Sequence, residues 1–150
     1  WTVKFAGTFA GLPGASVNLN FLREWSFEYS TGIKPRWYED GNLFFGQHLE
    51  TDISGTLTME VESTALAVSE FFDKNRAGTL DYVRLKATSG VVLGSGFYDI
   101  QLDMPVYWSE VKPLSSVDDG VNLYSVTGRQ AYDGTKGLEV TLVSSLAAIP

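Results

Sequence analysis

A change of hydrophobic period near the middle of the chain constrains the fold more than any other feature. Over residues 52–62 apolar and polar side chains alternate, which is the period of a strand with one buried and one solvent-facing side. Ser63 then offers a side chain suited to cap the start of a helix. Most apolar side chains of residues 65–74 fall on one half of a helical wheel, and Glu70 and Lys74 have the i,i+4 spacing of an ion pair. The sequence therefore predicts a long strand that leads directly into a single short helix.

Similar alternation predicts further strands on both sides of this unit. They fall at or near residues 1–10, 17–21, 25–29, 83–88, 98–104, 106–112, 121–132 and 138–142. Pro105 is expected to end a strand or to lie at an edge, because proline cannot donate to a ladder of hydrogen bonds. About nine strands with short polar connections and one helix indicate a mostly β fold, an antiparallel β-sandwich or barrel with one flanking α-helix. At 150 residues the chain is expected to form a single domain, 1–150.

The segment of residues 30–49 does not follow this alternation. Glycines and prolines interrupt it, and an Asp40-Gly41 pair near its middle indicates a turn. We interpret it as a long loop or an extended hairpin. It carries Trp37, Tyr38, Phe44 and Phe45. A large exposed aromatic surface usually marks a contact site, so these rings either pack back onto their own domain or contact a partner.

The charge of the chain disfavours one class of partner. It has 18 acidic and 11 basic residues and a formal net charge of −7. A surface that binds nucleic acid tightly usually has the opposite sign, because it must neutralise phosphates. No apolar run approaches the roughly 18 residues that would cross a bilayer, so no membrane partner is expected. The chain contains no cysteine, so the fold does not depend on disulfides.

The sequence offers no positive support for catalysis, for a metal or for a cofactor. His48 is the only histidine, and neither a catalytic triad nor a zinc site can be assembled around it. The turn of residues 118–120 supplies fewer oxygen ligands than calcium needs. Asp99 and Asp103 lie about 13 Å apart along a strand, too far for a glycosidase pair, whereas Glu60 and Glu62 lie about 6.6 Å apart. Because acidic side chains on a solvent-facing strand surface are ordinary, we do not expect an enzyme.

The order and spacing of several motifs resemble the tail tube proteins of long-tailed bacteriophages. The motifs are Gly55-Thr-Leu-Thr-Met-Glu-Val-Glu-Ser-Thr-Ala-Leu66 with the helix after it, Gly96-Phe-Tyr-Asp-Ile-Gln-Leu102, Val106-Tyr-Trp-Ser-Glu-Val-Lys-Pro113, Arg129-Gln-Ala-Tyr-Asp133 and Gly137-Leu-Glu-Val-Thr-Leu142. The resemblance covers roughly residues 24–147, and the first twenty or so residues match less well. Each motif is a generic strand, so the order and spacing carry the resemblance. Members of this family are often longer, so we expect this chain to be a compact or trimmed version.

The resemblance implies a β-sandwich that assembles into six-membered rings, which stack into a hollow tube. One sheet of each subunit would join a continuous barrel around the bore, and double-stranded DNA would pass through without specific binding. On this interpretation acidic side chains line the bore and residues 30–49 form the loop that reaches the next ring. The candidates for the bore are Glu60, Glu62, Asp99 and Asp103, and those for stacking are Lys34, Pro35, Arg36, Trp37, Tyr38, Phe44 and Phe45. The implied partners are further copies of the chain and other phage tail proteins, and the implied location is the virion tail, assembled in the host cytoplasm.

Three alternatives stay open at this stage. A related ring component of a phage tail or secretion tube, such as a distal tail or terminator protein, would share the same sandwich. A carbohydrate-binding module would also be a β-sandwich without cysteine, but it needs several aromatic rings on one exposed platform. Here Trp25 and Trp108 lie in predicted strands, whereas Trp1 and Trp37 are far apart in the chain. A glycosidase that uses Glu60 and Glu62 is the third alternative.

Overall fold

The computed structural model describes residues 1–16, 21–36, 47–50, 52–93, 96–113 and 122–144. These contain nine strands and one main helical segment, which confirms the predicted mostly β fold with one flanking helix; the strands predicted at residues 98–104 and 106–112 form one continuous strand. The strands are β1 (Thr2–Ala6), β2 (Leu22–Ser30), β3 (Ile33–Arg36), β4 (Gln47–Glu50), β5 (Ser54–Glu62), β6 (Leu80–Leu93), β7 (Gly96–Pro113), β8 (Leu123–Gln130) and β9 (Glu139–Val143). The helical segment, residues 65–77, consists of α1 (Ala65–Ala67), a π-helical turn (Val68–Phe72) and α2 (Asp73–Ala77), and a short 3-10 helix covers Phe9–Gly11. The residues predicted as a strand at 17–20 lie outside the described residues.

Seven strands form one antiparallel sheet that folds over on itself. The order is β1-β6-β7-β8-β5-β2, and β9 pairs with β7. We call β1, β6, β9 and the first part of β7 the β6 half, and β2, β5, β8 and the last part of β7 the β5 half. Inward-facing side chains of both halves meet in one hydrophobic cluster. Trp1, just before β1, and Trp25 on β2 stack edge to face at 5.1 Å, so the two ends of the sheet approach each other across the core. The outer faces of the two halves therefore point away from each other.

The predicted strand and helix are both present, with shifted boundaries. β5 begins two residues later than predicted, so Ile53 lies outside it and is exposed. The prediction of Ser63 as the helix cap is wrong. The cap is Thr64, whose side-chain oxygen accepts a hydrogen bond from the Ala67 N–H. Ser63 and Thr64 both have side chains that can cap a helix. Thr64 is the N-cap because its backbone has the extended conformation that this position requires.

A π-helical turn in the middle of the helix changes which side chains are buried. Phe71 is fully buried and packs edge to face on Trp108, with 5.0 Å between ring centroids. Val68 is 41% exposed, although the helical wheel places it on the apolar half. A regular 3.6-residue period cannot predict this, because Val68 begins the wider turn and the angular spacing of the side chains changes from there. Helix and sheet thus meet through Ala67 and Phe71 rather than along a full apolar stripe.

Pro105 lies inside an 18-residue strand and does not end it, so of the two predicted positions only one that lacks a partner strand on one side is compatible with the structure. β8 pairs with β7 from Val106 onwards, and β9 pairs with it up to Asp103, so the neighbouring strand is interrupted beside the proline. The Pro105 carbonyl faces this interruption and accepts a hydrogen bond from the Ala131 N–H. Since the N–H and C=O of one residue in an antiparallel ladder face the same neighbour, the missing N–H lies where no partner strand needs it.

Asp81 is a buried charge that ties the helix to the sheet. Lys74 Nζ lies 2.9 Å from its carboxylate, and the Trp108 indole N–H donates to the same oxygen at 3.2 Å. Lys74 also pairs with Glu70, which confirms the i,i+4 pair predicted from the sequence. Burial raises the pKa of Asp81 above its usual range, and the hydrogen bond from Lys74 acts in the opposite direction. The helix is thereby anchored by a polar cluster as well as by Phe71.

Candidate assembly surfaces

The four acidic candidates all point outward, but they lie on opposite sides of the molecule. In β5, side chains alternate between buried and partly exposed, and Glu60 and Glu62 belong to the outward set. Asp99, Asp103 and Tyr107 are separated by four residues each along β7 and therefore lie on the same side of the strand. Tyr107 pairs with the exposed Arg129 of β8, so this is the outer side. The first pair therefore belongs to the β5 half and the second pair to the β6 half. The structure does not bring the four carboxylates together on one surface.

The carboxylates of the β6 half are neutralised by neighbouring cations. Both oxygens of Asp103 accept hydrogen bonds at 2.7 Å from the Arg84 guanidinium, and Gln101 donates to one of them. Lys86 Nζ lies 2.9 Å from Asp99, and its hydrogen bond lowers the pKa of that carboxyl group. The bond to Asp103 raises the pKa of Arg84. The outer surface of this half is consequently a set of locally compensated pairs.

The outer surface of the β5 half has an acidic excess. Glu24 and Glu28 on β2 are exposed and extend the acidic surface of β5. Glu24 lies directly opposite Glu60 in the ladder, and neither has an ion-pair partner within the described parts of the chain. Like charges at opposed positions of a ladder destabilise it, so this arrangement is not explained by the stability of the isolated chain. Glu62 differs, because Arg23 lies 2.9 Å from its carboxylate.

The sequence interpretation did not assign Glu24 or Glu28 to this surface. The signal was present, because the alternation of Trp25 and Phe27 with polar residues gives both glutamates the outward orientation. The pairing of β2 with β5, which brings the two acidic rows side by side, needed the structure.

The segment predicted as a loop or hairpin contains a hairpin base. β3 and β4 pair antiparallel, from Ile33 opposite Glu50 to Arg36 opposite Gln47, and form a two-stranded sheet separate from the main one. Lys34, Pro35 and Arg36 thus belong to a strand of this hairpin. The other stacking candidates, Trp37, Tyr38, Phe44 and Phe45, lie outside the described residues.

An exposed apolar strip extends the inner face of the β6 half beyond the core. Ile100, Val140 and Leu142 are between 38% and 57% exposed. Ile100 and Leu142, together with Ala87 and Ser144, line an open cavity of about 320 Å³. The sequence predicted β9 as a strand with one buried side, but every residue of β9 is exposed in this chain alone. Apolar strand faces of this kind usually mark contact sites.

The described residues do not suggest a reaction centre. Among them, no three potential metal-ligating side chains lie close enough to hold an ion. His48 lies on β4, opposite Pro35. Of the carboxylates considered for a glycosidase, Glu62 is held by Arg23. No helix in the described ranges has the length and apolar character needed to cross a membrane.

Two solved structures resemble this one along nearly the whole chain. One is a chain in the virion of a native gene transfer agent particle, with a TM-score of 0.53, 11% sequence identity and 95% of both chains covered. The other comes from the tail of an empty gene transfer agent particle, computed with helical refinement and C6 symmetry, with a TM-score of 0.48, 14% identity and the same coverage. No protein-family model matches the sequence, and no curated protein matches it. At 11% identity the first likeness shows a shared fold.

Proposed function

We propose that this chain is a structural subunit of a phage-type tail tube, not an enzyme. The observation that carries the proposal is the shared fold with a chain of a gene transfer agent virion over 95% of both chains. The order of strand motifs in the sequence supports the same assignment independently. The chain would assemble into six-membered rings and stacked tubes, together with other tail proteins, in the host cytoplasm and then in the virion tail.

The acidic outer face of the β5 half would line the bore. There the charge is uncompensated at Glu24, Glu28 and Glu60, whereas Asp99 and Asp103 are paired with cations. A bore of negative potential repels phosphates, so DNA would slide through it without binding. The unfavourable opposition of Glu24 and Glu60 then serves function rather than stability.

The absence of cysteine makes the orientation of the face directly testable. Thr58→Cys places a thiol on the outer side of β5, and Thr141→Cys is the matched variant on the outer side of β9. In assembled tubes, both should react with a small maleimide. A maleimide coupled to a protein too large for the bore should modify Thr141→Cys and spare Thr58→Cys. The reverse selectivity would place the β6 half at the bore.

The hairpin of β3 and β4 would stack one ring on the next. It forms its own two-stranded sheet, and its connecting segment carries the aromatic residues that could anchor such a contact. Trp37→Ala and Phe45→Ala should shorten tubes or prevent stacking, as seen by electron microscopy. Tubes of normal length from both variants would remove the hairpin from the stacking contact.

Electron microscopy of the purified protein separates the proposal from its alternatives. Long hollow rods support the tail tube, and single rings support a distal tail, terminator or secretion-tube ring component. Monomers would support a carbohydrate-binding module, which a glycan array tests, or a glycosidase using Glu60 and Glu62. The ion pair of Glu62 with Arg23 counts against the glycosidase.

A further inference from the structure

We propose that the polar cluster beneath the helix is a site of covalent self-modification, in which Lys74 and Asp81 condense to an isopeptide bond. Glu70 is the catalytic residue, because it contacts the reacting amine. The bond would join α2 to the second residue of β6 and fix the helical segment on the sheet. It concerns the single subunit and does not depend on how copies assemble.

The three side chains contact one another at the atoms that would react. Lys74 Nζ lies 2.9 Å from Asp81 Oδ2, which is one bond away from the carboxyl carbon Cγ. The same Nζ donates a hydrogen bond to Glu70 Oε1, so the amine lies between two carboxylates. Asp81 is fully buried, and the side chains of Lys74 and Glu70 are only 25% and 24% exposed. The fold thus replaces an encounter in solution by a step within one cluster.

The surroundings favour an uncharged carboxyl group but not an uncharged amine. Burial raises the pKa of Asp81, and an amine attacks a neutral carboxyl group more readily than a carboxylate. Burial also opposes the charge of Lys74, but the carboxylates of Glu70 and Asp81 outweigh it and raise the pKa of Lys74. The amine therefore needs a base before it can attack, and Glu70 is in contact with it.

The condensation balances without a further reactant. Glu70 carries one proton from Nζ to Oδ2, which converts the ion pair into an amine and a carboxylic acid. The lone pair of Nζ then forms a bond to Cγ, and negative charge develops on Oδ1, which accepts a hydrogen bond from the Tyr82 N–H at 3.0 Å. Glu70 transfers a second proton from Nζ to Oδ2 as the Cγ–Oδ2 bond breaks. One ammonium and one carboxylate become one amide and one water.

A second lysine–aspartate pair shows what is particular to this cluster. Lys86 Nζ also lies 2.9 Å from Asp99, but these side chains are 34% and 19% exposed. The hydrogen bond from Lys86 lowers the pKa of Asp99, which keeps that carboxylate ionised. Within the described ranges, no second carboxylate pairs with Lys86. This pair has the distance without the burial or the base, so it should remain an ion pair and serves as an internal control.

Mass spectrometry of the folded wild-type protein tests the proposal. After prolonged incubation at neutral pH, the intact mass should be lower than the mass calculated from the sequence by one water. Trypsin cleaves after Arg76, between the two reacting residues, so the peptides that contain Lys74 and Asp81 should stay joined. The peptides that contain Lys86 and Asp99 should separate.

Two variants test the roles of the side chains. Glu70→Gln keeps the size of the side chain and an oxygen for Lys74, but it cannot carry a proton. It should slow the loss of water by about a hundredfold or more, the usual contribution of a general acid–base group. Lys74→Arg keeps the positive charge and should retain the full mass calculated from its own sequence. Circular dichroism checks that each variant is folded.

The outcomes separate this bond from the tube function. The full mass in folded wild-type protein would overturn the bond, and so would a loss of water in Lys74→Arg. An equal rate in Glu70→Gln would overturn the role of Glu70. Tubes built from chains of full mass would overturn the bond and leave the tube function in place, whereas condensed chains that form no tubes would do the reverse.

Discussion

Asp81 is the residue whose environment differs most from that of an ordinary aspartate. It is fully buried and accepts hydrogen bonds from Lys74 and from the Trp108 indole. In Asp81→Ala the indole N–H loses its partner, and the half-buried ammonium retains only Glu70. We expect the free energy of unfolding to fall by about 3 kcal/mol, measured by urea denaturation.

The matched variant for this site is Asp81→Asn. Asparagine keeps an acceptor oxygen for the indole, although it removes the charge and the second acceptor, which receives the Tyr82 N–H, so the loss of stability should be smaller than in Asp81→Ala. Equal losses in the two variants would show that the hydrogen bond to Trp108 contributes nothing.

Asp133 shows the opposite pKa shift and predicts a pH dependence. The backbone N–H groups of Lys136 and Thr135 donate to its carboxylate at 2.7 and 2.8 Å and lower its pKa. A lowered folded-state pKa means that the ionised form stabilises the turn. This contribution is complete above the unfolded-state pKa of about 3.9 and is lost as the pH falls through the folded-state value.

We therefore expect the stability difference between wild type and Asp133→Ala to be constant at pH 5–6 and to shrink below about pH 4. Urea denaturation at a series of pH values measures it, and a difference that grows in acid would contradict the assignment. Asp81 does not add to this trend, because burial raises its folded-state pKa, and such a group lowers the free energy of unfolding as the pH rises.

At the scale of single elements, the sequence predicted where strands lie better than how they join. Alternation located the buried positions Leu57, Met59 and Val61 of β5, because a strand with one solvent-facing side must alternate. It divided β7 at Pro105, because the interruption of the neighbouring strand that accommodates a proline is not a local property. The helical wheel of residues 65–74 misplaced Val68, because a π-helical turn leaves no distinct periodic signal.

The contact between β7 and β8 predicts the effect of a single methyl group. Gly128 lies opposite Trp108, and a Cβ there would clash with Val106 and would lie 2.8 Å from a Trp108 ring carbon. Because both neighbours are buried, we expect Gly128→Ala to destabilise the fold by about 1–3 kcal/mol through overpacking. Gly90→Ala is the control, since a Cβ there meets nothing within 4 Å, and its thermal midpoint should match the wild type. A stable Gly128→Ala would mean that β7 and β8 separate easily.

At the scale of the whole molecule, the sequence showed an acidic chain but not where the charge lies. Glu60, Glu62, Asp99 and Asp103 have the same alternating context and are equivalent in the sequence. They became distinct only when the sheet folded, because Arg84 and Lys86 lie beside the aspartates. The pairing of Arg84 with Asp103 joins residues 19 positions apart, and a period of two contains no information about it.

This distribution of charge predicts whether assembled tubes retain double-stranded DNA. Glu60→Lys changes the charge of each copy by two units within the acidic face of the β5 half. If that face lines the bore, wild-type tubes should not retain double-stranded DNA, whereas variant tubes should retain it at low salt and release it as salt rises, because retention depends on phosphate neutralisation. Co-sedimentation of tubes with linear DNA measures the retained fraction. Asp73→Lys is the matched control, because it makes the same change on the exposed side of the helix, away from the bore. Equal retention by both variants would mean that DNA responds to total charge, and the acidic face would then have no particular relation to the path of the DNA.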